Sequence, residues 1–214
     1  MIKEAPARWF AALIATIAWA GLALQMGLLV ETFIANGQGW LAAVWRFLAY
    51  FTLVTNLVVA IVMSRIALGW PPGPQTLTAT TMYIVIVGLL YHVLLASRWN
   101  PQGLQYVGNI MVHYGTPILS AVFWLTCVKK GLHKWSDAFP WLIYPAAYLV
   151  YYVARGAADG FYAYYFIELP TIGVRQFAVN TAGIMVVFVF MGLEFIAVDK
   201  AIARAAGRFA TAPR

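Results

Sequence analysis

The sequence predicts an all-α integral membrane protein, a single bundle of six transmembrane helices. Three observations predict it. Of the 214 residues, 63% are hydrophobic and only 10% are charged, against roughly 25% charged in soluble domains; the mean hydropathy is +0.78. The apolar residues gather in runs that approach or exceed the ~20 helical residues needed to cross a bilayer. Between the runs stand strong turn signals: Asn36-Gly37-Gln38-Gly39, Gly69-Trp70-Pro71-Pro72-Gly73-Pro74 and Asn100-Pro101-Gln102-Gly103.

Taken in order, six spans fit the apolar pattern, at about 9–34, 40–66, 77–98, 104–127, 137–156 and 173–197. The first exceeds the apolar core of a signal peptide and is followed by no small-x-small site, so it is expected to be retained. Lys129-Lys130-Gly131 closes the fourth with cations at the carbonyl end of the helix dipole. The longest loop, between the fifth and sixth spans, holds Phe161, Tyr162, Tyr164, Tyr165 and Phe166. Such aromatics suit a membrane interface, as a short surface helix or a lid. No loop is long enough for a separate domain and no internal repeat is visible, so residues 1–214 read as one domain. The single cysteine, Cys127, leaves no intrachain disulfide and no multi-cysteine metal site.

Orientation follows from the basic residues. Lys3, Arg8, Arg65, Lys129, Lys130, Lys134, Lys200, Arg204, Arg208 and Arg214 fall on one side; Arg46, Arg98, Arg155 and Arg175 fall on the other. This excess puts both termini in the cytoplasm. The net charge of +7 is therefore a topological signal, and no nucleic-acid partner is expected. The segment from Asp199 to Arg214 reads as a cytoplasmic helix beside anionic lipid.

Polar side chains inside the spans mark the candidate site, because at membrane depth they normally face protein or a wet cavity. In the second span, helical spacing brings Thr52, Thr55 and Asn56 onto neighbouring faces, with Arg46 a turn and a half earlier. The fourth carries a second row, Asn109, His113, Thr116 and Ser120. At a rise of ~1.5 Å per residue, Thr52 lies about 18 Å below Trp40 and His113 roughly 14 Å below Leu104, so the two rows are expected to meet. Gln25, His92, Tyr148, Tyr151, Tyr152, Arg155 and Asn180 fall in the same outer half, which suggests a polar cavity open to the outer leaflet. Pro117 cannot donate to the His113 carbonyl and should bend the helix beside the imidazole.

A threonine hydroxyl attacks only when a base takes its proton, and neutral imidazole is such a base. Thr52 and His113 are thus a candidate nucleophile and base, with Thr55 as a rival nucleophile. Asn56, Asn109 or a tyrosine hydroxyl is available to orient the base or stabilise an oxyanion. Arg46 and Arg155 suit two-pronged binding of a lipid carboxylate or phosphate, or else snorkel to the interface. The residues alone leave other readings open. Membrane threonines often bond back to their own backbone. The chain is also compatible with non-catalytic lipid binding, with transport, or with a haem held by His92 and His113. No Gly-x-Ser-x-Gly elbow is present.

Three stretches add a resemblance: Tyr50-Phe51-Thr52-Leu53-Val54-Thr55-Asn56, then Asn109-Ile110-Met111-Val112-His113-Tyr114-Gly115-Thr116-Pro117, then Tyr162-Ala163-Tyr164-Tyr165-Phe166-Ile167-Glu168. Together they resemble the androgen-induced and androgen-dependent six-pass membrane hydrolases and their bacterial six-pass relatives. The likeness reaches over most of the chain through short motifs. It implies an intramembrane hydrolase with a threonine nucleophile and an essential histidine, acting on lipid esters such as fatty acid esters of hydroxy fatty acids; no cofactor is expected. Carried over residue by residue, Thr52 is the nucleophile and His113 the base. The bacterial relatives imply an inner-membrane location.

Overall fold

The computed structural model describes residues 5–210, with side chains as far as 207. Lys3 and Arg214, counted above for orientation, lie outside the described residues, as does the side chain of Arg208. Some 85% of the described residues are helical, and no strand occurs among them. The α-helices are α1 (Ala5–Ala35), α2 (Trp40–Phe47), α3 (Phe51–Ala67), α4 (Pro74–Leu90), α5 (Gly103–Ile110), α6 (Thr116–Cys127), α7 (Ile143–Asp159) and α8 (Leu169–Ala210). Among the described residues, four helical segments are long and apolar enough to cross a bilayer: Ala5–Ala35, Pro74–Arg98, Gly103–Cys127 and Leu169–Gly207. Counting the bent pair α2 and α3 as one span makes five. The chain is an all-helical integral membrane protein.

The run expected to form one continuous second span is broken. α2 and α3 meet at 86°. Ala49 and Tyr50 donate to the carbonyls of Arg46 and Phe47, tight closures that end α2. Tyr50 then turns extended (φ −98°, ψ 119°), and its carbonyl accepts from Leu53 and Val54 to begin α3. No glycine or proline stands at the break. The expected 18 Å of descent from Trp40 to Thr52 therefore fails, because rise along α2 does not add to rise along α3. Thr52 opens a helix instead of sitting in the middle of one. α2 itself exposes Trp40, Leu41 and Trp45 and buries Ala43 and Phe47, the division of an interfacial helix.

The chain divides into two compact units, up to Val128 and from Lys129 on. In the first, α1 packs along α3 and also meets α2, α5 and α6. Ala18, Leu22, Phe47, Leu53, Ala60 and Val112 form a buried apolar cluster. Polar links pin the helices: Trp19 Nε1 donates to Ser64 Oγ at 3.1 Å, Arg8 Nε to the Ala67 carbonyl at 3.0 Å, and Trp124 Nε1 to Thr78 Oγ1 at 2.9 Å. Arg8 thereby places a cation on the negative end of α3.

Two π-helical segments lie within the first unit, Tyr91–Leu95 after α4 and Met111–Gly115 between α5 and α6. The bend expected from Pro117 takes the second form. Thr116 Oγ1 donates to the Met111 carbonyl at 3.0 Å, which supports the widened turn. Gly88 makes room for it: a Cβ there would stand 3.0 Å from the His113 carbonyl and 3.2 Å from the Pro117 Cβ.

The second unit contains 3-10 turns at Trp135–Ala138 and Pro140–Leu142, then α7, a third at Tyr165–Ile167, and α8. α7 has 17 residues, roughly 25 Å at ~1.5 Å each; the expected fifth span therefore starts as 3-10 turns and becomes α-helical only at Ile143. Gly160 ends α7 in the left-handed conformation (φ 72°) that glycine tolerates best. α8 is interrupted at Gly173 (φ 75°, ψ 163°), so its long continuous part lies beyond that residue. The aromatic stretch before α8 forms a strap with a single 3-10 turn. Tyr152 donates its hydroxyl to the Tyr164 carbonyl and accepts from the Tyr164 N–H, at 3.3 and 3.4 Å. Asn180 Nδ2 donates to the Phe166 carbonyl at 2.6 Å, and the Tyr162 ring lies against Gly156.

Candidate active site

Thr52 occupies the first turn of α3 and is buried. The first helical bonds of α3 are donated by Leu53 and Val54, so the N–H groups of Phe51 and Thr52 precede the helical ladder. Asn56, fully buried one turn later, ties this turn to the second π segment. Its Nδ2 donates to the Thr52 carbonyl at 2.8 Å and to the Val112 carbonyl at 3.0 Å. Both contacts are to carbonyls, which only accept, so the amide orientation is fixed and Oδ1 points elsewhere. That oxygen is buried without a protein partner.

His113 follows Val112 directly. Its Nδ1 lies 3.2 Å from the Asn109 carbonyl. The carbonyl can only accept, so Nδ1 carries the proton and Nε2 offers the lone pair in the neutral ring. Among the described residues, the Thr52 hydroxyl makes no hydrogen bond to this ring. The two are joined instead through Asn56 and Val112. Asn109, also buried, uses its side chain as well: Nδ2 donates to the Tyr91 hydroxyl oxygen at 2.8 Å. The Tyr91 ring stacks on the His113 imidazole, with centroids 3.8 Å apart and planes 20° from parallel.

His92, next to Tyr91 in the other π segment, holds its Nδ1 3.1 Å from the Tyr114 hydroxyl. Tyr114 meets the Tyr91 ring edge-on at 5.7 Å. The two π segments are thus joined crosswise, Tyr91 to His113 and His92 to Tyr114, and the two imidazoles are linked through tyrosine rings. π-Helical turns of this kind recur at functional sites. Gln25 of α1 adds an amide close by, since a Cβ on Gly108 would lie 3.0 Å from its Nε2. The row in α6 continues with Thr116 and Ser120, both fully buried.

The candidate anion binders differ in their surroundings. Arg46 lies on α2, half-buried, with its guanidinium 5.5 Å from the Phe33 ring centre. Arg155 belongs to the second unit, where it is buried and paired with Asp159 at 3.0 Å. Phe161 stands 5.8 Å from its guanidinium. An arginine so engaged is a structural tie between α7 and the strap. Asn180 is likewise committed, accepting from Gln176 at 2.7 Å while donating to Phe166. Thr55 is completely buried.

Thr52, Asn56, Asn109, His92 and His113, all foreseen from sequence, therefore form one connected group in the first unit with Tyr91 and Tyr114. Tyr91 was not among the residues singled out from the sequence. Its only local signal is the adjacent histidine. The group offers a hydroxyl on a helix N-terminus, a held imidazole with a lone pair available and a buried phenol, which suits acyl transfer. Among the described residues, no three His, Cys, Asp or Glu side chains converge to hold a metal ion. Compared with protein-family models, curated proteins and solved structures, the chain matches none.

Proposed function

We propose that this chain is an intramembrane lipid ester hydrolase in which Thr52 is the nucleophile and His113 the general base. In this reading it crosses the membrane six times, with α7 as the fifth pass and both termini cytoplasmic, and it takes fatty acid esters from the lipid phase. The observation that carries the reading is the Asn56 bridge, which ties the Thr52 turn to the π segment that presents His113. The fixed tautomer supports it as well, because His113 Nε2 is left to accept a proton. The N–H group of Thr52, in the first turn of α3, is suited to a developing oxyanion. Apo sites often hold catalytic pairs apart until substrate arrives, so the indirect link between Thr52 and His113 is compatible with the dyad.

The test is turnover of a fluorogenic long-chain acyl ester by purified protein in lipid nanodiscs. Thr52→Val and His113→Ala are each expected to abolish it, and the double variant to be no worse than either single one, since such units are non-additive. Thr55→Val is expected to remain active. Full hydrolysis by a well-folded Thr52→Val protein would overturn the proposal.

A further inference from the structure

The geometry points to Tyr91 as a side-chain hydrogen-bond donor, additional to the backbone N–H at the head of α3, that stabilises the oxyanion formed when an ester carbonyl is attacked at this site, an inference that rests on the hydrolase reading above. Tyr91 is 5% exposed, so the residue as a whole is buried. The Asn109 amide donates to the phenolic oxygen, which makes that oxygen the acceptor and leaves its own proton for another partner. A buried polar group with an unused proton calls for an explanation, and a ligand oxygen supplies one. Placement agrees, because the ring lies flat on the proposed base. A carbonyl within reach of His113 Nε2 therefore comes close to the phenol. Asn109 orients both groups, holding His113 through its main-chain carbonyl and Tyr91 through its side-chain amide. Donors fixed in position before the reaction are what oxyanion stabilisation requires.

In the proposed step, Thr52 Oγ bonds to the carbonyl carbon and its proton passes to His113 Nε2. The carbonyl π pair moves onto oxygen, which accepts the Tyr91 hydrogen bond without taking the proton. Collapse restores the carbonyl and breaks the bond to the leaving alcohol, which takes the proton back from His113. Water then repeats the sequence on the acyl-threonine and releases the fatty acid. No group is oxidised or reduced.

Tyr91→Phe keeps the stacked ring and deletes only the hydroxyl. In full-length protein in nanodiscs, kcat for the acyl ester is expected to fall about 10²–10³-fold with KM little changed, the loss typical of one missing oxyanion donor. Affinity for a long-chain trifluoromethyl ketone, which adds the threonine hydroxyl to give an oxyanion, is expected to fall in step with kcat. Affinity for the product fatty acid is expected to stay constant; equal weakening of ketone and fatty acid would indicate a structural effect and overturn the assignment. Asn109→Leu removes the amide that orients the phenol and carries the test if Tyr91→Phe does not fold. It should also weaken the ketone while sparing the fatty acid, and unchanged ketone affinity overturns the role. Wild type and Thr52→Val run alongside. Absent turnover in wild type defeats the hydrolase reading and this inference with it, whereas an active wild type with an undiminished Tyr91→Phe defeats only the role of Tyr91.

Discussion

Asn56 is the point at which the packing of the first unit and its proposed chemistry coincide. Asn56→Leu keeps the volume roughly constant but removes two donated hydrogen bonds, to the Thr52 and Val112 carbonyls. Each is worth ~0.5–1.5 kcal/mol net. The unpartnered Oδ1 disappears as well, which returns part of that cost. The expected loss is therefore at most about 3 kcal/mol, or at most about 12 °C of thermal midpoint for a chain of this size. Asn56→Asp is nearly isosteric yet sets a carboxyl oxygen against two carbonyl oxygens in a fully buried position. As a carboxylate it suffers repulsion and desolvation; protonated, it can satisfy only one of the two acceptors. Asp should therefore be the more damaging change, although it is the more conservative in shape. Thermal unfolding in detergent, followed by size-exclusion recovery, measures both. An Asp variant as stable as wild type, or more stable than the Leu variant, would refute the assignment of Nδ2 as the bridging group.

Gly88→Ala forces a methyl to within 3.0 Å of the His113 carbonyl and is expected to cost ~1–3 kcal/mol by overpacking, read as a lower thermal midpoint; an unchanged midpoint would contradict the close approach of α4 to the π segment. Cysteines introduced at Gln38 and Gln102 should react with a membrane-impermeant reagent added outside whole cells, and labelling only from the cytoplasmic side would reverse the proposed orientation. Arg46→Gln is expected to raise KM for acidic lipid esters more than for neutral ones, whereas equal effects would mean that Arg46 only snorkels. Purified protein is expected to show no absorption in the haem Soret region, and a band lost on His92→Ala or His113→Ala would favour the bis-histidine reading.

How much of this was legible in the sequence depends on the physical origin of each feature. Apolar runs and Gly/Pro turns mark helices through bulk composition and backbone sterics, so α1, the span from Pro74 to Arg98 and the span from Gly103 to Cys127 fall close to their expected places. Pro117 announces a disturbance because it lacks an N–H; that the disturbance is a π turn depends on Thr116 reaching back to Met111, which spacing alone does not reveal. The other π segment, Tyr91–Leu95, contains no glycine or proline and left no local trace. Nor did the 86° break before Thr52. Leu48, Ala49 and Tyr50 have no strong reason to leave the helix, and the break is compatible with packing of Phe47 and Leu53 into the cluster around Ala18 and Leu22. Here tertiary contacts override local propensity.

The break changes what the polar row in this stretch means. Read as one helix, Arg46, Thr52 and Asn56 are successive points on a stripe. In the structure Arg46 belongs to α2 and Thr52 to the head of α3, so only Thr52 and Asn56 share a helix. A threonine in mid-helix has ready backbone carbonyls one turn back, as Thr81 and Thr126 show by donating to Leu77 and Val122. Thr52 lies too near the start of α3 for that arrangement: four residues back is Leu48, in the break. Its hydroxyl is thereby spared the local bond that quietens most membrane threonines. In this respect Thr52 differs from Thr81 and Thr126, and the difference arises from the backbone break before it, not from any motif around the residue.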